Sequence, residues 1–507
     1  MELLSLIDLP VSLVLLLLAG FLFYLYGIWP YGVWKSLGVD GPKPSPFIGN
    51  HYQMTTEGVE PFIQKLSKKY GRTFGMYSGR FPMLVTTDLD ILKEVLVKDF
   101  NKFADRFDGF EIYPEEVRSM LPFALGAQWK RVRHILTPTF STGKLKQMEH
   151  YIQRCCIQLT KNIEEIVQRG ERIDVKRVFG GYTMDVIAGT AFGIEVNSQK
   201  DLDHPFVRDA AGFLSDIGTQ DKYLVVLAKC FPFLLPFIKV LVKNLFQPNG
   251  FKTFVKSIQR IKEERKLDGN GNRKPDFLQS LLSCEENQTS GTDQMNVLSK
   301  VEVIAQALIF FVAGYETTAS TLQYMAYCLA LHPEVQDKIV CEIKEQLGDE
   351  IPTYEGVSKL KYLDSVIQET QRMYNPVNAV NRVASEEVTI KGITIPKGAG
   401  VLVPIANVMR DPEYFPEPDK FIPERFYEGS INPISFLAFG FGPRLCIGMR
   451  LAQLEMKMSM VHVLRRVKFV KTDDIQDVFK IKPGSILSIP DRVIAIKAVM
   501  RDVAATG

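Results

Sequence analysis

From Leu9 to Trp34 the chain carries no charged residue, and the stretch Val11 to Ile28 is almost wholly Leu, Val, Phe and Tyr. Few conformations suit such a segment. In hydrocarbon every backbone N–H and C=O must be satisfied within the segment, which selects a helix, and about 20 apolar residues at helical rise cross a bilayer core. A cleaved export signal is the rival reading, but it has a shorter apolar region, a basic start and a small-residue cleavage site. Here Glu2 and Asp8 precede the span, whereas Lys35 and Lys43 follow it. The positive flank is therefore the carboxyl-terminal one, and the positive-inside bias leaves the rest of the chain in the cytosol. Trp29, Tyr31 and Trp34 are expected to form an aromatic belt at the interface. Gly41-Pro42-Lys43-Pro44-Ser45-Pro46 then reads as a stiff connector.

The remainder is long for one domain, but 46% hydrophobic residues in a chain of 507, without a low-complexity break, suggest one large core. A net charge of +3 gives no reason to expect a nucleic-acid partner. Seven cysteines at irregular spacings form neither a disulfide framework nor a Cys-x-x-Cys zinc site, which is consistent with reduced thiols. Met83 to Thr87, Val388 to Ile395 and Gly400 to Pro404 read as strands among a long succession of helical patterns. The expected fold is thus mainly α with small β-sheets behind an N-terminal transmembrane helix. Cys284 to Leu298 reads as a polar surface loop whose Asn287-Gln288-Thr289 sequon would go unmodified in the cytosol. In Phe213 to Phe246, prolines at 232 and 236 exclude a second ordinary span. That region is either core or an element that dips into the membrane.

One thiol sits in a loop of unusual composition: Phe439-Gly440-Phe441-Gly442-Pro443-Arg444-Leu445-Cys446-Ile447-Gly448. The glycines leave room for backbone N–H groups to approach a sulfur, and the helix-compatible run from Met449 to Leu464 points its positive dipole end toward it. Arg444 offers a bidentate cation two residues away. The pattern Phe-x-x-Gly-x-Arg-x-Cys-x-Gly resembles the haem-binding loop of the cytochrome P-450 family, the haem-thiolate monooxygenases. The resemblance makes Cys446 the axial ligand of the haem iron, with Phe439 and Arg444 among the cofactor contacts.

Three upstream segments extend the resemblance. Ala313-Gly314-Tyr315-Glu316-Thr317-Thr318 lies inside the apolar run Val301 to Leu331. By itself it is either a kinked core helix with a satisfied threonine or a groove beside a reactive site. It looks like the family's acid-alcohol pair, with Thr317 steering protons and Glu316 connecting to solvent. Glu369 and Arg372 lie three apart on one helix face, a spacing usually seen in solvated ion pairs. With Arg425 they resemble the family's structural Glu-Arg-Arg triad. Trp129 and Arg133 lie four apart in Trp-Lys-Arg-Val-Arg, and by resemblance they contact a haem propionate, as do Arg106 and Arg382. Departures from the family pattern are Gln371, where Leu is usual, and Asn375 in place of a proline.

The resemblance runs from about Gly38 to Asp502 and is strongest to the vertebrate drug- and steroid-oxidising family three, judged from Phe311 to Thr318 and Pro443 to Arg450. It implies an anchor over residues 1–34, a hinge over 35–50 and a catalytic domain over 51–507, held at the endoplasmic reticulum membrane. Haem b would be bound by the Cys446 thiolate, which favours O–O cleavage, so that one oxygen atom enters a substrate C–H bond and the other leaves as water. Lipophilic substrates such as steroids, fatty acids and xenobiotics are implied. No Gly-x-Gly-x-x-Gly opens a helix after a strand, so electrons must come from outside, from NADPH through a membrane-bound flavoprotein reductase, with cytochrome b5 as a second donor. Lys130, Arg131, Lys144 and Lys146 are candidates for the reductase-docking face. A haem-thiolate isomerase acting on endoperoxides, and a non-enzymatic haem sensor or electron carrier, remain as alternatives.

Overall fold

The uncharged N-terminal segment forms one helix, Val11–Ile28, most of whose side chains are exposed. The computed structural model describes residues 11–106, 111–201, 222–245, 249–267, 276–286, 297–429, 431–472, 475, 479–483 and 487–501. The sequon at 287–289 lies outside the described residues, and the start of the 213–246 region does too.

A central helix, Lys300–Leu331, organises the body. Its start is fixed by Ser299, whose hydroxyl accepts from the Glu302 N–H at 3.1 Å while Glu302 Oε2 accepts from the Ser299 N–H at 2.9 Å. This reciprocal cap satisfies two donors that a helix end leaves open. The helix is apolar on nearly every side, as a core helix must be, and it packs most extensively on the helix Val175–Phe192. Gly314 makes that approach possible. A Cβ there would stand 2.8 Å from Ile187 Cδ1, so the glycine serves helix contact as well as the opening expected from sequence.

Among the described residues nine short strands flank the helices: β1 (Thr73–Ser78), β2 (Phe81–Thr86), β3 (Ile173–Asp174), β4 (Val380–Val383), β5 (Val388–Ile390), β6 (Ile393–Ile395), β7 (Gly400–Val403), β8 (Val467–Val470) and β9 (Ala495–Met500). They form sheets of order β1-β2-β7-β4, β3-β9-β8 and β5-β6. The β2–β7 pair is parallel and the others are antiparallel, with Met83 opposite Gly400 and Arg382 opposite Val401. The stretch 388–395, expected as a single strand, is a hairpin. Lys391 and Gly392 both have positive φ, at 50° and 78°, as a tight two-residue turn requires.

The N-terminal region also departs from expectation. Trp34 is not at an interface but 2% exposed, its indole N–H donating to the Met76 carbonyl at 3.1 Å. Tyr31 donates to the Ser45 carbonyl at 2.9 Å and accepts from the Gly49 N–H at 3.0 Å. Only Trp29 of the expected belt stands clear, at 83% exposed. The connector is likewise tied to the body: Gly75 N–H donates to the Asp40 carbonyl at 2.8 Å, and Gly49 bridges to Ser78. A buried indole and unpaired backbone groups are better satisfied against β1 than in a free linker.

Candidate functional site

The loop that ends at Cys446 is folded by its glycines. Gly442 has φ of 74°, and a Cβ on it would stand 2.0 Å from the Leu96 carbonyl oxygen, so no other residue fits that turn without displacing backbone. Cys446 N–H donates to the Phe439 carbonyl and Leu445 N–H to the Gly442 carbonyl, both at 2.9 Å. The helix Met449–Leu464 begins at once. The N–H groups of Gly448 and Met449 bond to the Cys446 sulfur. Burial pushes the Cys446 thiol up, and those donors, with Arg133 and Arg106, oppose that shift without cancelling it. A haem iron held there would keep the thiol deprotonated as its ligand.

Cys446 opens onto an internal cavity of about 750 Å³. The central helix supplies one wall with Ala313, Gly314, Glu316 and Thr317, and β4 and the residues before it supply another. Around the loop the cavity is cationic. Trp129, Arg133, Arg106, Arg382, Arg444 and Phe439 all reach its wall, from four separate segments. Arg444 lies over the Trp129 ring, 4.4 Å from its centroid, and donates to the Ala124 carbonyl at 3.0 Å. The cation stacked on Trp129 is thus Arg444, from the Cys446 loop.

Among the described residues these arginines have little acid beside them. Asp105 Oδ1 stands 3.5 Å from Arg444 Nη2 and also caps the Gly126 N–H at 2.7 Å. Arg382 Nε, Arg106 Nε, and Nε and Nη1 of Arg444 are buried with no hydrogen-bond partner among the described residues. Burial, reinforced by Arg106, pulls the Arg444 guanidinium down to about 9, and burial with Arg106 and Arg444 pulls Arg382 well below its usual range. A buried cation cluster with spare donors is a receptor for a dianion. The two propionates of a haem, with the Cys446 sulfur available to its iron, match that demand.

On the opposite wall Thr317 Oγ1 donates to the Ala313 carbonyl at 2.7 Å, the backward bond expected of a helical threonine. Glu316 Oε1 accepts from Lys176 Nζ at 2.6 Å and lies 3.4 Å from Ser320 Oγ. Lys176 was not foreseen, because it lies on another helix, 140 positions away in sequence. Away from the cavity, Glu369, Arg372 and Arg425 do come together: Arg372 is bidentate to Glu369, and Arg425 Nε is 3.3 Å from Glu369 Oε1.

The sequence matches the cytochrome P450 family profile over residues 39–496. This chain is a cytochrome P450. It is 38% identical over 504 residues to cytochrome P450 3A41 of Mus musculus, with 97% of each chain covered, and 38% identical over 499 residues to cytochrome P450 3A29 of Sus scrofa, again with 97% of each covered. Cytochrome P450 3A11 of Mus musculus is 37% identical over 517 residues, spanning 100% of both. The family-three resemblance read from two short motifs therefore extends along the whole chain. As a cytochrome P450 it is an oxidoreductase of the monooxygenase type, uses haem b and takes its electrons from NADPH by way of a reductase. Its fold, mostly helical with small sheets, is that of the family.

Proposed function

We propose that this cytochrome P450 is a membrane-anchored enzyme that inserts one atom of dioxygen into lipophilic substrates, with electrons delivered by a membrane-bound NADPH flavoprotein reductase. The observation that carries the reading is one cavity whose wall holds Cys446, the arginine cluster and Thr317 together. Cys446 would ligate the iron, and Arg106, Arg133, Arg382, Arg444 and Trp129 would hold the propionate edge. Phe439 would pack at the cofactor. Haem bound there supplies dioxygen activation, with the thiolate favouring O–O cleavage. Thr317 would position a proton at the dioxygen face, and Glu316, closed by Lys176, would renew it from the protein exterior. Glu369, Arg372 and Arg425 would keep a structural role.

The apolar exterior supports the membrane reading. Phe231 stacks with Phe23 of the N-terminal helix at a centroid distance of 5.8 Å and packs at a tilt against Phe47 at 5.6 Å. Beyond it Phe233, Phe237 and Val240 are 63%, 74% and 60% exposed. Of the two readings of this region, an apolar surface continuous with the anchor favours the membrane-dipping one. The assignment is a single-pass anchor at the endoplasmic reticulum (1–34), a connecting segment (35–50) and a cytosolic catalytic domain (51–507). Cytochrome b5 is a further proposed donor. Of the basic docking candidates, Arg131 is engaged by Glu302 and Lys146 by Glu355, so Lys130 and Lys144 carry that proposal.

The test is a carbon monoxide difference spectrum of the dithionite-reduced full chain beside Cys446→Ser, followed by reconstitution with reductase and NADPH. The red-shifted Soret band of a thiolate-ligated carbonyl haem, lost in the variant, together with reductase-dependent oxygenation of a steroid, is expected. No such band in folded wild-type protein overturns the cofactor site. Turnover of an endoperoxide without reductase would instead establish an isomerase.

A further inference from the structure

Gln371 and Asn375, where the sequence departs from the family pattern, both line the Cys446 cavity. Gln371 stands near the end of the helix Lys361–Met373, and Asn375 follows it in the segment that leads into β4. Asn378, three residues further on, lines the same wall. The residues around it there, Pro376, Val377, Ala379 and Val380, are apolar. Three primary amides in so short a stretch of cavity wall need hydrogen-bond partners, because an amide withdrawn from water without one is destabilising.

The protein supplies only part of what they need. Asn378 Oδ1 accepts from Ser488 Oγ at 2.6 Å. Ser488 is itself fixed, since its N–H donates to the Pro376 carbonyl at 2.9 Å and its carbonyl accepts from Tyr324 Oη. One hydroxyl satisfies one end of an amide, so the Asn378 NH2 is left to the cavity, with no partner among the described residues. At Asn375 the opposite end is left over. Its Nδ2 donates to the Val377 carbonyl at 2.7 Å, while Oδ1, on a residue only 5% exposed, has no partner among the described residues. The wall in front of β4 thus offers a spare donor and a spare acceptor on residues three apart.

We propose that Asn378, with Asn375, is a specificity-determining contact that selects lipophilic alcohols, the substrate hydroxyl accepting from the Asn378 N–H and donating to Asn375 Oδ1. The inference rests on the monooxygenase reading above, because it assigns the substrate class of the same cavity. A hydroxyl gives and takes one hydrogen bond each and so satisfies both residues. A hydrocarbon of the same shape leaves both amides unsatisfied, which is how a polar site rejects an analogue that lacks the polar group. Tethering the hydroxyl at this wall also restricts which carbons of the substrate face the Cys446 side.

The experiment uses the haem-loaded full chain in phosphatidylcholine vesicles and follows the substrate-induced Soret shift with dodecanol and with dodecane. The quantity read is the ratio of the two affinities, from which lipid partition cancels when two proteins are compared. Asn378→Leu, close to asparagine in shape, should lower the alcohol-to-hydrocarbon ratio about tenfold relative to wild type, the scale of one or two hydrogen bonds. Asn375→Leu, which leaves the bond between Ser488 and Asn378 in place, should lower it in the same direction. If circular dichroism shows that Asn378→Leu does not fold, Asn375→Leu decides alone. A ratio that stays at the wild-type value overturns the proposal. A variant that folds but has lost its haem overturns it too, by showing that these amides meet the cofactor rather than the substrate. A normal carbonyl band in the wild type with an unchanged ratio sinks this proposal alone, whereas no band in the wild type sinks the reading on which it rests.

Discussion

Arg372 and Glu369 face each other as a closed bidentate pair, with Nε 2.7 Å from Oε2 and Nη2 2.9 Å from Oε1, and neither side chain reaches solvent. The helix spacing that permits this is ordinary, but the burial is not. Arg372 also donates to the carbonyls of Met409 at 3.0 Å and Lys420 at 3.2 Å, and Glu369 accepts from the Ile422 N–H at 2.9 Å. One ion pair therefore fastens the helix Lys361–Met373 to the two segments that carry Met409 and Lys420.

Arg372→Leu should leave Glu369 buried without its partner and lower stability by about 3–5 kcal/mol, the range for breaking a buried pair. Urea unfolding of the haem-loaded protein measures the loss, and haem occupancy should fall with it. A midpoint equal to that of the wild type would show that the pair contributes nothing to the fold.

Thr317→Ala deletes a hydroxyl whose recorded bond is to the Ala313 carbonyl. Such backward bonds add little to stability, so unfolding should shift by less than about 1 kcal/mol. Product formed per NADPH consumed should fall about tenfold or more, because general acid-base steps contribute at least that much. Parallel measurement of NADPH loss, product and peroxide tests this; unchanged coupling would remove Thr317 from proton delivery.

Trp34→Ala removes a side chain that is 2% exposed and packed on β1. It should destabilise the body by about 3–5 kcal/mol, as large-to-small changes of buried aromatics do. Residues at an interfacial belt would show no comparable effect on unfolding in detergent. The same variant therefore distinguishes a body that begins before Trp34 from one that begins after the proline connector.

His462, near the end of the helix that carries the Cys446 loop, is held down to about 4 by burial, with Arg465 adding to the effect. The unfolded chain binds its proton near pH 6.5 and the folded chain near pH 4, so the unfolded state takes up more protons between those values. Stability should then fall as pH drops through that window, by about 2 kcal/mol from pH 7 to pH 5. His462→Leu should remove this part of the acid sensitivity. Urea midpoints of both proteins at the two pH values provide the measurement, and parallel slopes would contradict it.

What the sequence disclosed depended on how far apart the interacting residues lie in the chain. The Cys446 loop was readable because its chemistry is contained within ten consecutive residues, and Glu369 and Arg372 because one helical turn brings them together. Helix period exposed the central segment that carries Thr317. Lys176 gave no sign, since its partner Glu316 lies on a different helix. Trp34 misled for a physical reason: an indole after an apolar span suits an interface and a hydrophobic core equally well, and only the packing on β1 decides. The turn at Lys391 and Gly392 was available, as a glycine interrupting alternating apolar residues, and should have divided that strand.

The crowding of Arg106, Arg382 and Arg444, with Asp105 as the one carboxylate paired with them among the described residues, has a consequence for biosynthesis. Like charges that repel one another until a dianion arrives make cofactor capture a condition of folding rather than a sequel to it. By mass action, a chain in which haem binds only the native state gains stability in proportion to the logarithm of free haem over its dissociation constant. In a cell short of haem, newly made polypeptide would dwell in its open forms within reach of proteases. The supply of the prosthetic group would then govern how much enzyme accumulates, without any change in transcription.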